Sequence, residues 1–248
     1  MSGHSKWSTI KRKKEKTDAA RGKVFTRLIK EITIAARHGG GDETANPRLR
    51  SAIQAAKGAN MPAANIDKAV KRGTGELPGV VYEEIVYEGY GPGGAALYIE
   101  VLTDNKNRTV AEIRHILTKY NGSLGENGSV AWMFSKKGVF QIPVDSTDED
   151  SLMMAGLDAG LEDIEESDDL FIAKCNPSDF ENVKSALTDA GIQIDNAEIT
   201  MEPSNTVDLE GKNAELMLKM MDLLEDHDDV QNISSNFDID DSIIEELS

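Results

Sequence analysis

Two short runs, Val139-Phe140-Gln141-Ile142-Pro143-Val144 and Leu170-Phe171-Ile172-Ala173-Lys174-Cys175, decide how the chain is organised. Both are rich in β-branched and aromatic residues and are bounded by polar turns, so both read as strands. A helix is expected from Glu149 to Leu157, a strand near Asp163 to Glu166, a helix from Ser178 to Ala190 and a strand from Ala197 to Met201. Lys137 to Pro203 therefore holds a complete β-α-β-β-α-β set. A set that is complete in itself leaves the segments on either side to pair with each other. Before it come strands at Val81 to Tyr87 and Ala95 to Leu102, joined by Gly89-Tyr90-Gly91-Pro92-Gly93-Gly94, a helix from Thr109 to Tyr120 and a strand from Val130 to Phe134. After it come a helix from Asn213 to Glu225 and a strand from Val230 to Asn236.

This pattern predicts an α+β protein with two ferredoxin-like layers, residues 137–203 being inserted in a discontinuous domain of residues 80–136 plus 204–248. Residues 1–79 differ. Phe25, Leu28, Ile29, Ile32 and Ala36 recur at helical spacing and Gly39-Gly40-Gly41 ends the helix. Asn46 with Pro47 opens a second helix and Asn60 with Pro62 a third, which stops at Gly73. Ahead of this three-helix domain lies an arm with almost no apolar residues.

The 248 residues carry a net charge of −17, which conceals a sharp division. Met1 to Gly75 holds 17 Lys and Arg against 6 Asp and Glu; Glu76 to Ser248 holds 10 against 38. Amphipathicity does not sort opposite signs into opposite ends of a chain, so the basic end is expected to meet a polyanion and the acidic domains a basic protein. One cysteine, Cys175, excludes an internal disulfide, and no apolar run has the length of a signal core or a membrane span. A cytoplasmic protein that does not engage a membrane is expected.

The expected nucleic-acid contacts are Lys6, Trp7, Lys11, Arg12, Lys13 and Lys14 of the arm, Lys23, Arg27 and Lys30 on one face of the first helix, Arg48 and Arg50 at the start of the second, and Lys68, Lys71 and Arg72 in the third. Trp7 has two readings, a base-stacking ring or a staple on the helical core. The second and third helices also fit a helix-turn-helix with Asn65, Lys68 and Arg72 as readers. Asn107, Arg108 and Arg114 near a helix start could hold an anion, against simple capping by Asn107. Asp226, Asp228 and Asp229 read as solvated acid. The histidines lack metal-ligand spacing, and neither a metal nor a cofactor is expected.

Gly3-His4-Ser5-Lys6-Trp7, Arg21-Gly22-Lys23-Val24-Phe25, Asn46-Pro47-Arg48-Leu49-Arg50, Tyr87-Glu88-Gly89-Tyr90-Gly91-Pro92-Gly93-Gly94, Asp104-Asn105-Lys106-Asn107-Arg108-Thr109 and Gly128-Ser129-Val130-Ala131 together resemble the YebC/PmpR family, to which a mitochondrial translational activator belongs. The resemblance implies a three-domain, non-enzymatic, DNA-binding transcriptional regulator. It equally implies a competing role in translation, with RNA and the ribosome as partners. An enzyme with a site near Arg108 and His115 is the third reading.

Overall fold

The computed structural model describes residues 18–167, 169–240 and 243, with side chains from Gly22 onward. Three helices come first: α1 (Asp18–Gly39), α2 (Pro47–Gly58) and α3 (Ala63–Thr74). Ile32, Ala35 and Ala36 of α1 close a small core with Leu49, Ile53 and Ala56 of α2 and Ile66 and Ala69 of α3. Asn46 caps α2 by accepting from the Leu49 amide at 3.1 Å, and its own amide group donates to the Ala35 carbonyl at 2.8 Å, so one side chain ends one helix and starts the next. Helices α1 and α3 approach so closely at Gly73 that an added Cβ would lie 2.4 Å from the Thr33 carbonyl oxygen.

The remainder forms two four-stranded antiparallel sheets. The outer one consists of β1 (Glu83–Tyr90), β2 (Ala96–Thr103), β3 (Ser123–Leu124) and β9 (Val230–Ser235), in the order β3-β1-β2-β9. Leu97, Ile99 and Val101 alternate along β2 and pack under α4 (Lys106–Lys119) and α7 (Gly211–Glu225), which bury Ile113, Leu117, Met217, Met221 and Leu224 on one face of the sheet. The inserted sheet consists of β4 (Phe134–Pro143), β5 (Leu161–Ser167), β6 (Leu170–Cys175) and β7 (Asn196–Pro203), in the order β5-β6-β4-β7, covered by α5 (Glu149–Gly156) and α6 (Phe180–Asp189). The α+β class, the helical N-terminal domain and the insertion of one layered unit in another are those the sequence predicts. A two-stranded parallel pair, β8 (Val207–Asp208) with β10 (Phe237–Asp238), was not legible beforehand.

One sequence expectation is corrected. Val130 to Phe134 is not a strand: Ala131–Met133 form a 3-10 turn, and the strand begins at Phe134 and runs on to Pro143. The cause is Glu88, a buried carboxylate on β1 that accepts from the amides of Gly128, Val130 and Ala131 at 2.6, 2.8 and 2.8 Å and bends the segment around itself. Burial raises the Glu88 pKa, but the three amides together outweigh it and hold the group below the usual carboxylate range. The turn brings Val130 and Phe134 against Ala96, Tyr98 and Met201, a small core at the joint between the two sheets. Glu88→Gln replaces one acceptor oxygen with an NH2 group and should destabilise this joint by about 2 kcal/mol. Urea unfolding followed by Trp132 fluorescence measures it; an unchanged midpoint would show that the amides do not depend on the carboxylate.

Candidate nucleic-acid interface

The basic face of α1 lies along the turn that follows α7. Lys23 Nζ lies 2.9 Å from the Asp226 carboxylate, and Arg27 donates to the Glu225 carbonyl. Lys30 is 7% exposed and donates to the Asp229 carboxylate at 2.7 Å, the Asp228 carbonyl at 2.8 Å and the Leu102 carbonyl at 3.3 Å. All three therefore reach the turn that follows α7. The C-terminus of a helix leaves carbonyls unpaired and carries partial negative charge, and here three aspartates follow it. Cations spaced along one face of α1 complement that surface. The expectation that Lys30 is a surface contact is corrected: it is a buried link between the helical domain and the outer sheet domain.

Asp229 is the centre of this link. It is 3% exposed rather than solvated, and besides Lys30 it accepts from Arg108 Nη2 at 2.7 Å, Thr109 Oγ1 at 2.7 Å and Thr103 Oγ1 at 3.2 Å. Burial raises its pKa, but the hydrogen bonds from Lys30, Arg108 and Thr109 prevail and hold it far below the usual carboxylate range. Its amide donates to His227 Nδ1 at 3.1 Å, and His227 Nε2 lies 2.9 Å from Glu112. Glu112, His227 and Asp229 stand close enough to share a metal ion, yet two protein cations already occupy Asp229.

The anion expectation at the start of α4 is corrected for the same reason. Asn105, not Asn107, is the cap, accepting from the Arg108 amide at 3.1 Å. Arg108 spans Asp104 at 3.0 Å and Asp229 at 2.7 Å, so carboxylates of the chain itself take the place an external anion would need. Arg114 is exposed on the next turns and makes no ion pair among the described residues.

The other expected contacts among the described residues fall into two groups. Arg48 grips Glu31 through two bonds, at 2.7 and 3.0 Å, and also binds Glu84; the Glu31 bonds raise its pKa further. Arg50 donates to the carbonyls of Glu43 and Thr44, each at 3.3 Å, and Lys71 pairs with Asp67 at 2.8 Å. Lys68 and Arg72, four residues apart on α3, are exposed and make no ion pair among the described residues. Lys57, at the end of α2, is exposed in the same way and was not singled out by sequence reading. Lys6, Trp7, Lys11, Arg12, Lys13 and Lys14 lie outside the described residues.

Lys30→Met keeps the aliphatic stem but strips Asp229 of one buried partner, and should cost about 3 kcal/mol in urea unfolding. Because the Asp229 pKa is depressed in the folded chain, its contribution is present above about pH 4, the ordinary carboxylate value, and fades as the pH falls toward the folded value. Asp229→Asn should therefore lower stability at neutral pH and flatten the loss on acidification. Parallel pH curves for the two proteins would overturn this assignment.

Comparison with known proteins places the whole chain. Residues 5–76 match the family described as "TACO1/YebC protein N-terminal domain", and residues 82–237 match "TACO1/YebC second and third domain". A probable transcriptional regulatory protein of Trichlorobacter lovleyi is 61% identical over 96% of each chain, and one of Desulforapulum autotrophicum is 56% identical over 100% of each. The crystal structure of a conserved hypothetical protein from Aquifex aeolicus is similar at a TM-score of 0.82 with 42% identity, covering 90% of this chain and 93% of that one. The chain belongs to the TACO1/YebC family.

Proposed function

We propose that the protein is a non-enzymatic regulator that binds duplex DNA through the outer face of its helical domain, using Lys57, Lys68 and Arg72 with the lysines and arginines of residues 6–14. The observation that carries this reading is the division of the basic charge. The α1 stripe is neutralised by the turn after α7, whereas Lys68 and Arg72 stay exposed and without an ion pair among the described residues. They sit on the second helix of the α2–α3 pair, where a reading helix would carry them. Duplex DNA is assigned as the polymer because relatives bear the name of transcriptional regulators. Catalysis finds little support: Arg108 is committed to Asp104 and Asp229, and burial pushes the Cys175 thiol up to about 11, which leaves it protonated at neutral pH. No helix among the described residues is long and apolar enough to cross a membrane. We assign the activity to the cytoplasm because bacterial relatives bear the name of transcriptional regulators.

Phosphate contacts show as salt dependence, each steepening the slope at which log affinity falls with log salt by about one. Lys68→Ala with Arg72→Ala should reduce that slope by about two on a mixed-sequence duplex, while Lys23→Ala should leave it unchanged. An unaltered slope in the first variant sinks the reading. Running the same titration on a structured RNA tests the competing translational role, which tighter, stacking-dependent RNA binding would favour.

A further inference from the structure

We propose that α5, the turn that follows it and the edge strand β5 form a docking surface for a cationic segment of another protein that carries an apolar side chain. The starting point is an exposed apolar pair. Met154 is 84% and Leu157 60% exposed, one helical turn apart, while Leu152 and Gly156 on the other side of α5 are buried in the inserted domain. Scattered apolar residues need no explanation, but two large ones side by side at this exposure leave a face without a cover.

The charge around the pair says what would cover it. From Gly138 to Ala173 the chain has no Lys, Arg or His and eleven Asp or Glu. Some of these acids are already partnered: Asp148 caps α5 through Ser151, Glu162 pairs with Lys137 at 2.7 Å and Glu165 with Lys174 at 2.8 Å. Glu149 and Asp150 in the first turn of α5, Asp158 beside Leu157, and Glu166 on the helix-covered side of β5 are exposed and make no ion pair among the described residues. Strand β5 is the outer strand of its sheet, bonded to β6 alone, so these carboxylates border an open edge. Nucleic acid and anionic membranes would be repelled here, and a second copy would set acid against acid. A segment of lysines or arginines with one apolar anchor satisfies both parts of the surface: the anchor covers Met154 and Leu157, and its cations meet the surrounding carboxylates.

The test titrates the full chain, at physiological salt, with two synthetic helical peptides, one with lysines on one face and leucines on the other, the second with every leucine replaced by serine. The leucine peptide should bind about tenfold more tightly, and Met154→Ser with Leu157→Ser, a change confined to exposed side chains, should erase that preference. Glu149→Gln with Asp150→Asn and Asp158→Asn should weaken both peptides and flatten their salt dependence. Bound leucine peptide should also slow peroxide oxidation of Met154. Equal affinity of the two peptides, or an unchanged preference in the serine variant, would overturn the proposal. Slow oxidation of Met154 in the full chain alone would overturn it too, since a segment of the protein itself would then cover the surface.

Discussion

The buried carboxylate of Asp229 ties together parts of the chain that are otherwise remote. Lys30 comes from the helical domain, Arg108 and Thr109 from the first turn of α4, and Thr103 from the end of β2. A lone carboxylate at this depth would be costly, and so would an unpartnered Lys30. Each group therefore makes the other's burial tolerable, and the pairing defines how α1 lies against the outer sheet. Lys23 and Arg27 add contacts along the same line, so the helix is held over about two turns rather than at a point.

That arrangement divides the work of the basic residues. The asymmetry between the two ends of the chain serves first as an internal fastening: acid from the last part of the outer domain neutralises the inner side of α1. Among the described residues, Lys68 and Arg72 on α3 and Lys57 at the end of α2 stay exposed and without an ion pair, open to a polyanion. The acidic excess is likewise divided, between the turn after α7, which is used within the chain, and the inserted domain, whose carboxylates face outward.

Much of the fold was legible because its periodicities are local. Phe25, Leu28, Ile29 and Ile32 mark the inner face of α1, and the alternation of Leu97, Ile99 and Val101 marks that of β2. The failures have a common physical origin. Helical spacing places Lys23, Arg27 and Lys30 on one face, but nothing in the spacing says what lies opposite, and the partner is a turn almost two hundred residues away. Asp229 looked solvated because its neighbours Asp226 and Asp228 are acidic, and Val130 to Phe134 looked like a strand because its composition is that of one. In both cases a single buried carboxylate, Asp229 or Glu88, reorganised what local preference suggested. At the start of α4 the cap shifted by two residues, from Asn107 to Asn105, and with it the environment of Arg108.

The fastening of α1 also bears on the order in which the chain is made. Synthesis delivers the basic helices well before residues 225–229, so α1 emerges with a strip of uncompensated cations and a lysine built for burial. A fragment ending before Glu225 would keep that strip bare, since the partners of Lys23, Arg27 and Lys30 at residues 225–229 would all be missing. Its attraction to nucleic acid would then report a surface that the complete chain conceals, and the isolated helical domain is an unsafe guide to what the whole protein binds.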